Sequence, residues 1–208
     1  MRLQFLIQLL LVVSVGCTNS ETTGNSYSAD SLYYPKDSSY LYFPVKIIED
    51  GKESSWNGNE WYSKMLFALH EPVLASYTGD IEIFRFTLLR TWGRPLAIRI
   101  QKEEDLISLT LKVTDGHAGY NPGKLLSNKT IQLHSDQWDS FKEKIDEISF
   151  WSLPFQDKNR GDDGSEWILE GAYKAKYQVT TRWDADETDY GKCCKYLLQL
   201  MKIDINNL

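Results

Sequence analysis

Glu166-Trp167-Ile168-Leu169-Glu170-Gly171-Ala172-Tyr173, then Lys176-Tyr177-Gln178-Val179-Thr180-Thr181-Arg182-Trp183, is the stretch that decides the fold class. Both segments are rich in β-branched and aromatic residues, and only a short turn around Ala172 to Ala175 separates them. That pattern predicts a β-hairpin, and so an antiparallel sheet. Alternation along the first strand puts Glu166, Ile168 and Glu170 on one face and Trp167, Leu169 and Gly171 on the other. Trp167 is therefore expected in the core. A cross-strand ion pair between Glu170 and Arg182 is expected to brace the hairpin.

Working outward, Ile81–Trp92, Pro95–Gln101 and Leu106–Thr114 read as three further strands, separated by Gly93-Arg94-Pro95 and by Lys102 to Asp105. Thr130–His134 reads as a short fourth. Helical spacing of apolar residues appears in Glu60–His70 (Trp61, Met65, Leu66, Leu69), which stops at Pro72. It recurs in Asp136–Ile148, with Ser135 as the expected cap, and in Asp189–Met201. Phe150–Pro154 is a hydrophobic return, and Asp115–Gly123 and Arg160–Gly164 are loops. This order predicts an α+β fold, an antiparallel sheet with helices packed mainly on one face. No βαβ alternation supports a doubly wound sheet.

The N-terminus carries a different signal. Arg2 precedes an apolar run, Leu3–Val15, broken only by Gln4, Gln8 and Ser14. The run is short for a membrane span and matches the core of an export signal. Ser14-Val15-Gly16-Cys17 resembles a bacterial lipobox, although Ser14 stands where Leu is usual. Lipidation of Cys17, which anchors the chain to a membrane, is the favoured reading; ordinary signal-peptidase cleavage beside Ser14 and Gly16 is the alternative. The expected organisation is a signal peptide at 1–16, a lipidated cysteine and polar tether at 17–40, and one α+β domain at 41–208. Tyr33, Tyr34, Tyr40, Tyr42 and Phe43 are unusually aromatic for a linker, so its second half is expected to lie along the domain.

Hydrophobic residues make up 42% and charged residues 25% of the 208, ordinary values for a folded domain. The net charge of −6, with no basic cluster, argues against a nucleic-acid partner. Glycine-rich nucleotide motifs are absent, no metal-ligand spacing is present, and no cofactor is expected. Cys193 and Cys194 sit where a helix would bury them as small hydrophobes. Two sets of residues are candidates for a polar pocket. Asp163, Glu166, Glu170 and Arg182 form one; Asp115 and His117, on a glycine-rich loop, form the other, with His70 and Glu71 as possible companions.

Trp61-Tyr62-Ser63-Lys64, His70-Glu71-Pro72, Asp115-Gly116 with Gly119-Tyr120, and Asp163-Gly164-Ser165-Glu166-Trp167-Ile168-Leu169-Glu170-Gly171 before Tyr177 and Arg182-Trp183 resemble an uncharacterised family of bacterial proteins. Members often carry Tyr-His ahead of the Arg-Trp, whereas Gln178 follows Tyr177 here. The resemblance implies no activity. The residues themselves leave two classes of function: a tethered binding or accessory module with a protein partner in the envelope, or a carboxylate-dependent hydrolase using Asp163 or Glu170.

Overall fold

The computed structural model describes residues 31–44, 58–159, 161 and 163–205. The signal segment, Cys17, the first part of the tether, and Arg160 and Asp162 of the expected turn lie outside the described residues. The elements follow in the order α1 (Gly58–Ala68), β1 (Glu82–Arg90), β2 (Leu96–Glu103), β3 (Leu106–Thr114), β4 (Leu125–Leu133), α2 (Ser135–Glu147), a 3-10 turn (Phe150–Ser152), β5 (Ser165–Tyr173), β6 (Lys176–Trp183) and α3 (Asp189–Met201). The six strands form one antiparallel sheet in the order β4-β3-β2-β1-β5-β6.

Alternation divides the strands into two sets of side chains. Phe84, Phe86 and Leu88 of β1, Ile98 and Ile100 of β2, Leu109 and Leu111 of β3, and Trp167 and Leu169 of β5 share one face. Trp138, Phe141 and Ile145 of α2 and Cys193, Cys194, Leu197, Leu198 and Met201 of α3 close over it. Helix α1 belongs to the opposite face, where Tyr62, Met65 and Leu66 pack with Leu89, Ile168 and Val179. Alternation puts Gly171 on the first face, opposite Phe84, and the absence of a side chain there leaves room for Phe150. A β-carbon there would stand 2.7 Å from Phe150 Cε1 and 3.0 Å from both Phe84 and Trp151.

Three local expectations need correcting. β4 begins at Leu125, well before Thr130, because the partner strand β3 supplies a ladder along its whole length. Its Ser, Asn and Lys residues hide it from a propensity reading. The cap of α2 is His134 rather than Ser135, and Gln137 Oε1 accepts the His134 backbone N–H at 3.0 Å. The hairpin turn between β5 and β6 is tighter than expected: Lys174 and Ala175, both with positive φ (47° and 61°), make the whole connection.

Both cysteines of α3 are buried and free. Burial pushes the Cys193 thiol up to about 12, so it stays protonated and packs as a hydrophobe.

Candidate functional site

Helix α1 ends in a way that delivers a carboxylate to the sheet. His70 adopts a left-handed φ of 51° just past the helix. Its N–H bonds Phe67 O and that of Glu71 bonds Leu66 O, a Schellman closure. The chain thereby turns inward, and Glu71 enters the face of the sheet opposite the aromatic core, fully buried.

On that face the register builds one polar row across five strands, Thr130, Thr110, Arg99, Arg85 and Glu170, which ends against the apolar Val179 of β6. Arg85, at the centre, has no exposed side-chain surface. Its Nε and Nη2 reach Glu170 Oε2 at 2.7 and 2.5 Å, and Nη1 donates to Pro72 O at 2.6 Å. Tyr177 Oη donates to the other oxygen of Glu170 at 3.0 Å. Glu71 then gathers three cations: Arg85 at 3.5 Å, Arg99 at 3.1 Å and Lys112 at 3.1 Å. Arg99 also donates to Gln101 Oε1, and Lys112 to His70 O.

The segment before α1 lies over this cluster. Tyr33 bridges Val73, and Tyr42 and Phe43 are buried. Tyr42 Oη donates to the Glu71 backbone oxygen at 2.8 Å, with the Arg85 guanidinium carbon 5.9 Å from its ring centre. Ser63 Oγ accepts the Tyr42 N–H, and Asn59 donates to Phe43 O.

The charge states follow from these contacts. Burial opposes ionisation of Glu71, but Arg99, Arg85 and Lys112 outweigh it and hold its carboxyl below the usual range. Burial pushes Glu170 up against the pull of Arg85 and Tyr177. Arg85 Nε and Tyr177 Oη each donate to one of its oxygens, and Arg85 Nη2 stands 2.5 Å from Oε2, contacts that favour the carboxylate. Lys112 is lowered by burial, partly offset by Glu71.

The expected pair of Glu170 and Arg182 does not form. Arg182 is opposite Trp167 in the ladder, so its side chain leaves the sheet on the other face. There its guanidinium bonds Pro154 O and Phe155 O at 3.3 Å and stands over the Tyr190 ring at 5.4 Å. Glu166 is buried and accepts the Thr181 hydroxyl. Asp163 is exposed at the entry to β5. The four residues of the first candidate pocket are thus spread over two faces and a loop.

Asp115 and His117 do stay together, apart from Glu71. Asp115 Oδ1 accepts the Lys124 N–H at 2.7 Å, and His117 Nδ1 lies 3.1 Å from Trp92 O. Their loop is fixed to the β1–β2 connection by Ala118 N–H to Gly93 O and Gly119 N–H to Thr91 O, and Trp61 Nε1 donates to Ala118 O. Gly119 lets the two backbones meet, since a β-carbon would come within 2.7 Å of Thr91 O. On top, Trp92 and Tyr120 are 67% and 63% exposed with ring centres 5.3 Å apart. Among the described residues, no group of three or more His, Cys, Asp or Glu side chains converges to hold a metal.

Arg85, Arg99 and Lys112 did not stand out in the sequence. The available signal was the apolar company of Arg85: Ile83 and Leu89 share its face of β1 and are buried there. A solvated face would not carry them. Protein-family models and curated proteins yield no match to this chain.

Proposed function

We propose that this is an exported protein, lipid-anchored through Cys17, whose domain works as a binding module outside the membrane. The export reading rests on Arg2 and the apolar run Leu3–Val15 ahead of Ser14-Val15-Gly16-Cys17. The binding reading is carried by one observation: Trp92 and Tyr120 form a solvent-facing aromatic pair on two loops that hydrogen-bond to each other. Such rings lose little freedom on contact, because their loops are already ordered, and exposed Trp and Tyr are the side chains that most often anchor an interface.

A carboxylate-dependent hydrolase draws less support. Glu170 is fully buried and its two oxygens are engaged by Arg85 and Tyr177, so it has no free lone pair directed at solvent for a substrate proton.

Two measurements on membranes test the proposal. A labelled fatty acid should enter the wild type and fail to enter Cys17→Ala; label retained in the variant would refute the anchor. Photo-crosslinking should give an envelope adduct with a protein partner that is lost in Trp92→Ser/Tyr120→Ser. An adduct that persists in that variant would remove the aromatic pair from the binding role.

A further inference from the structure

Beyond the buried cluster the same face of the sheet continues outward over β3 and β4, and its composition there is unusual. Register places Gln101, Ser108 and Gln132 in one row, Arg99, Thr110 and Thr130 in the next, and Ala97, Lys112 and Asn128 in a third. Asn128, Thr130 and Gln132 are exposed, Gln101 and Ser108 are half-buried, and Thr110 hydrogen-bonds Thr130 at 2.9 Å. From strand spacings of roughly 4.8 Å and a two-residue repeat of roughly 6.8 Å, the patch measures about 10 by 14 Å. It presents amides and hydroxyls, which donate and accept, and its charges are the two cations at its inner edge.

Among the described residues those cations are under-compensated. Arg85, Arg99 and Lys112 face two carboxylates, Glu71 and Glu170, and Glu170 is taken up by Arg85 and Tyr177. The single Glu71 carboxylate serves the remainder, with neutral acceptors (Gln101 Oε1, His70 O) completing Arg99 and Lys112. The excess positive charge therefore sits at the edge where the polar rows begin. Both side chains there are more than nine-tenths buried, at 8% and 7% exposure, which makes an unmatched charge costly. Along β2 the next carboxylate on this face is Glu103, two alternations from Arg99 or roughly 14 Å.

We propose that Arg99 and Lys112, with Asn128, Thr130 and Gln132, form a site for a ligand that carries one anionic group on a hydroxyl-rich body, an acidic or phosphorylated sugar. The anion offsets the surplus charge, and the hydroxyls meet the amide and hydroxyl rows of β3 and β4. Tyr34, whose ring centre lies 5.9 Å from Lys112 Nζ, borders the site. This goes beyond the binding reading of Trp92 and Tyr120: it is a second site, on a separate surface, with its own ligand class.

Calorimetric titration of the full chain in detergent micelles tests it with four probes: glucuronate, glucose 6-phosphate, glucose and inorganic phosphate. Glucuronate or glucose 6-phosphate is expected to bind, and which of them binds tighter identifies a carboxylate or a phosphate as the preferred anion. Glucose and inorganic phosphate should each bind at least about tenfold more weakly, since each supplies half of the contacts. Arg99→Gln should abolish binding. If that variant fails to fold, Thr130→Val and Gln132→Ala, both on the exposed strand β4, should each weaken binding several-fold with melting unchanged. Phosphate binding as tightly as glucose 6-phosphate, with Thr130→Val silent, would overturn the proposal, as would no heat with any probe. These heats are read with no protein partner present, so failure of the crosslinking experiment and failure of this site are told apart.

Discussion

The two faces of the sheet are built from the same strands by opposite physics. On one, Phe84, Phe86, Ile98, Leu109, Trp167 and Leu169 meet α2 and α3 through contacts that need no particular partner. Each such side chain contributes on the order of 1.5–3 kcal/mol by leaving water. On the other, Arg85, Glu71, Glu170, Arg99 and Lys112 are buried only because each answers another. Ion pairs of that kind add little net stability, yet they are strict about geometry. The second face has an apolar core of its own under α1, and its charged cluster specifies how the segment before α1, the turn at His70 and strands β1, β2 and β5 come together.

The largest test of that contrast is a double-mutant cycle. Arg85→Met should cost about 3–5 kcal/mol in urea unfolding, because it strands the buried Glu170 carboxylate. Combining it with Glu170→Leu should recover much of the loss, giving strong non-additivity. Additive losses would mean that the charged face behaves like the aromatic one.

A smaller effect probes the aromatic face. Gly171→Ala places a methyl against Phe150, Phe84 and Trp151, and overpacking there should cost about 1–3 kcal/mol. The loss should persist unchanged in the Arg85→Met/Glu170→Leu background, which melting of the four proteins (wild type, Gly171→Ala, the double variant and the triple variant) would check. Coupling between the two would show that the faces are not independent.

The smallest concerns the turn that brings Glu71 inward. His70 holds a left-handed backbone that glycine adopts without strain, so His70→Gly should stabilise the protein by up to about 1 kcal/mol. The backbone oxygen that binds Lys112 is retained. A fall in melting temperature would mean that the His70 side chain itself supports the cluster.

Legibility in the sequence tracks the same division. Ile81–Trp92, Leu106–Thr114, the hairpin Glu166–Trp183 and the three helices all announce themselves through apolar periodicity, which is a local property. Trp167 is in the core as alternation requires. The second face was harder to read. Arg85, Arg99 and Lys112 alternate with apolar neighbours and so pass for solvent-facing residues of a one-sided sheet. Glu170 and Arg182 lie on paired strands, but Arg182 stands three positions past Val179, the partner of Glu170, and that odd offset puts them on opposite faces. Asp115 and His117 were correctly set on a loop, while Trp92, the residue that makes that loop noticeable, belongs to another connection.

By itself, then, the sequence determined the α+β class, the antiparallel hairpin and the position of each helix, because periodicity and turn chemistry act over a few residues. Only the tertiary structure decided that Glu71 would find Arg85, Arg99 and Lys112, that Glu170 would choose Arg85 over Arg182, and that β3 and β4 would leave a polar patch beside them. Those pairings join residues 14 to 85 positions apart, and burial fixes them: a charge removed from water must meet its partner wherever the register has put it.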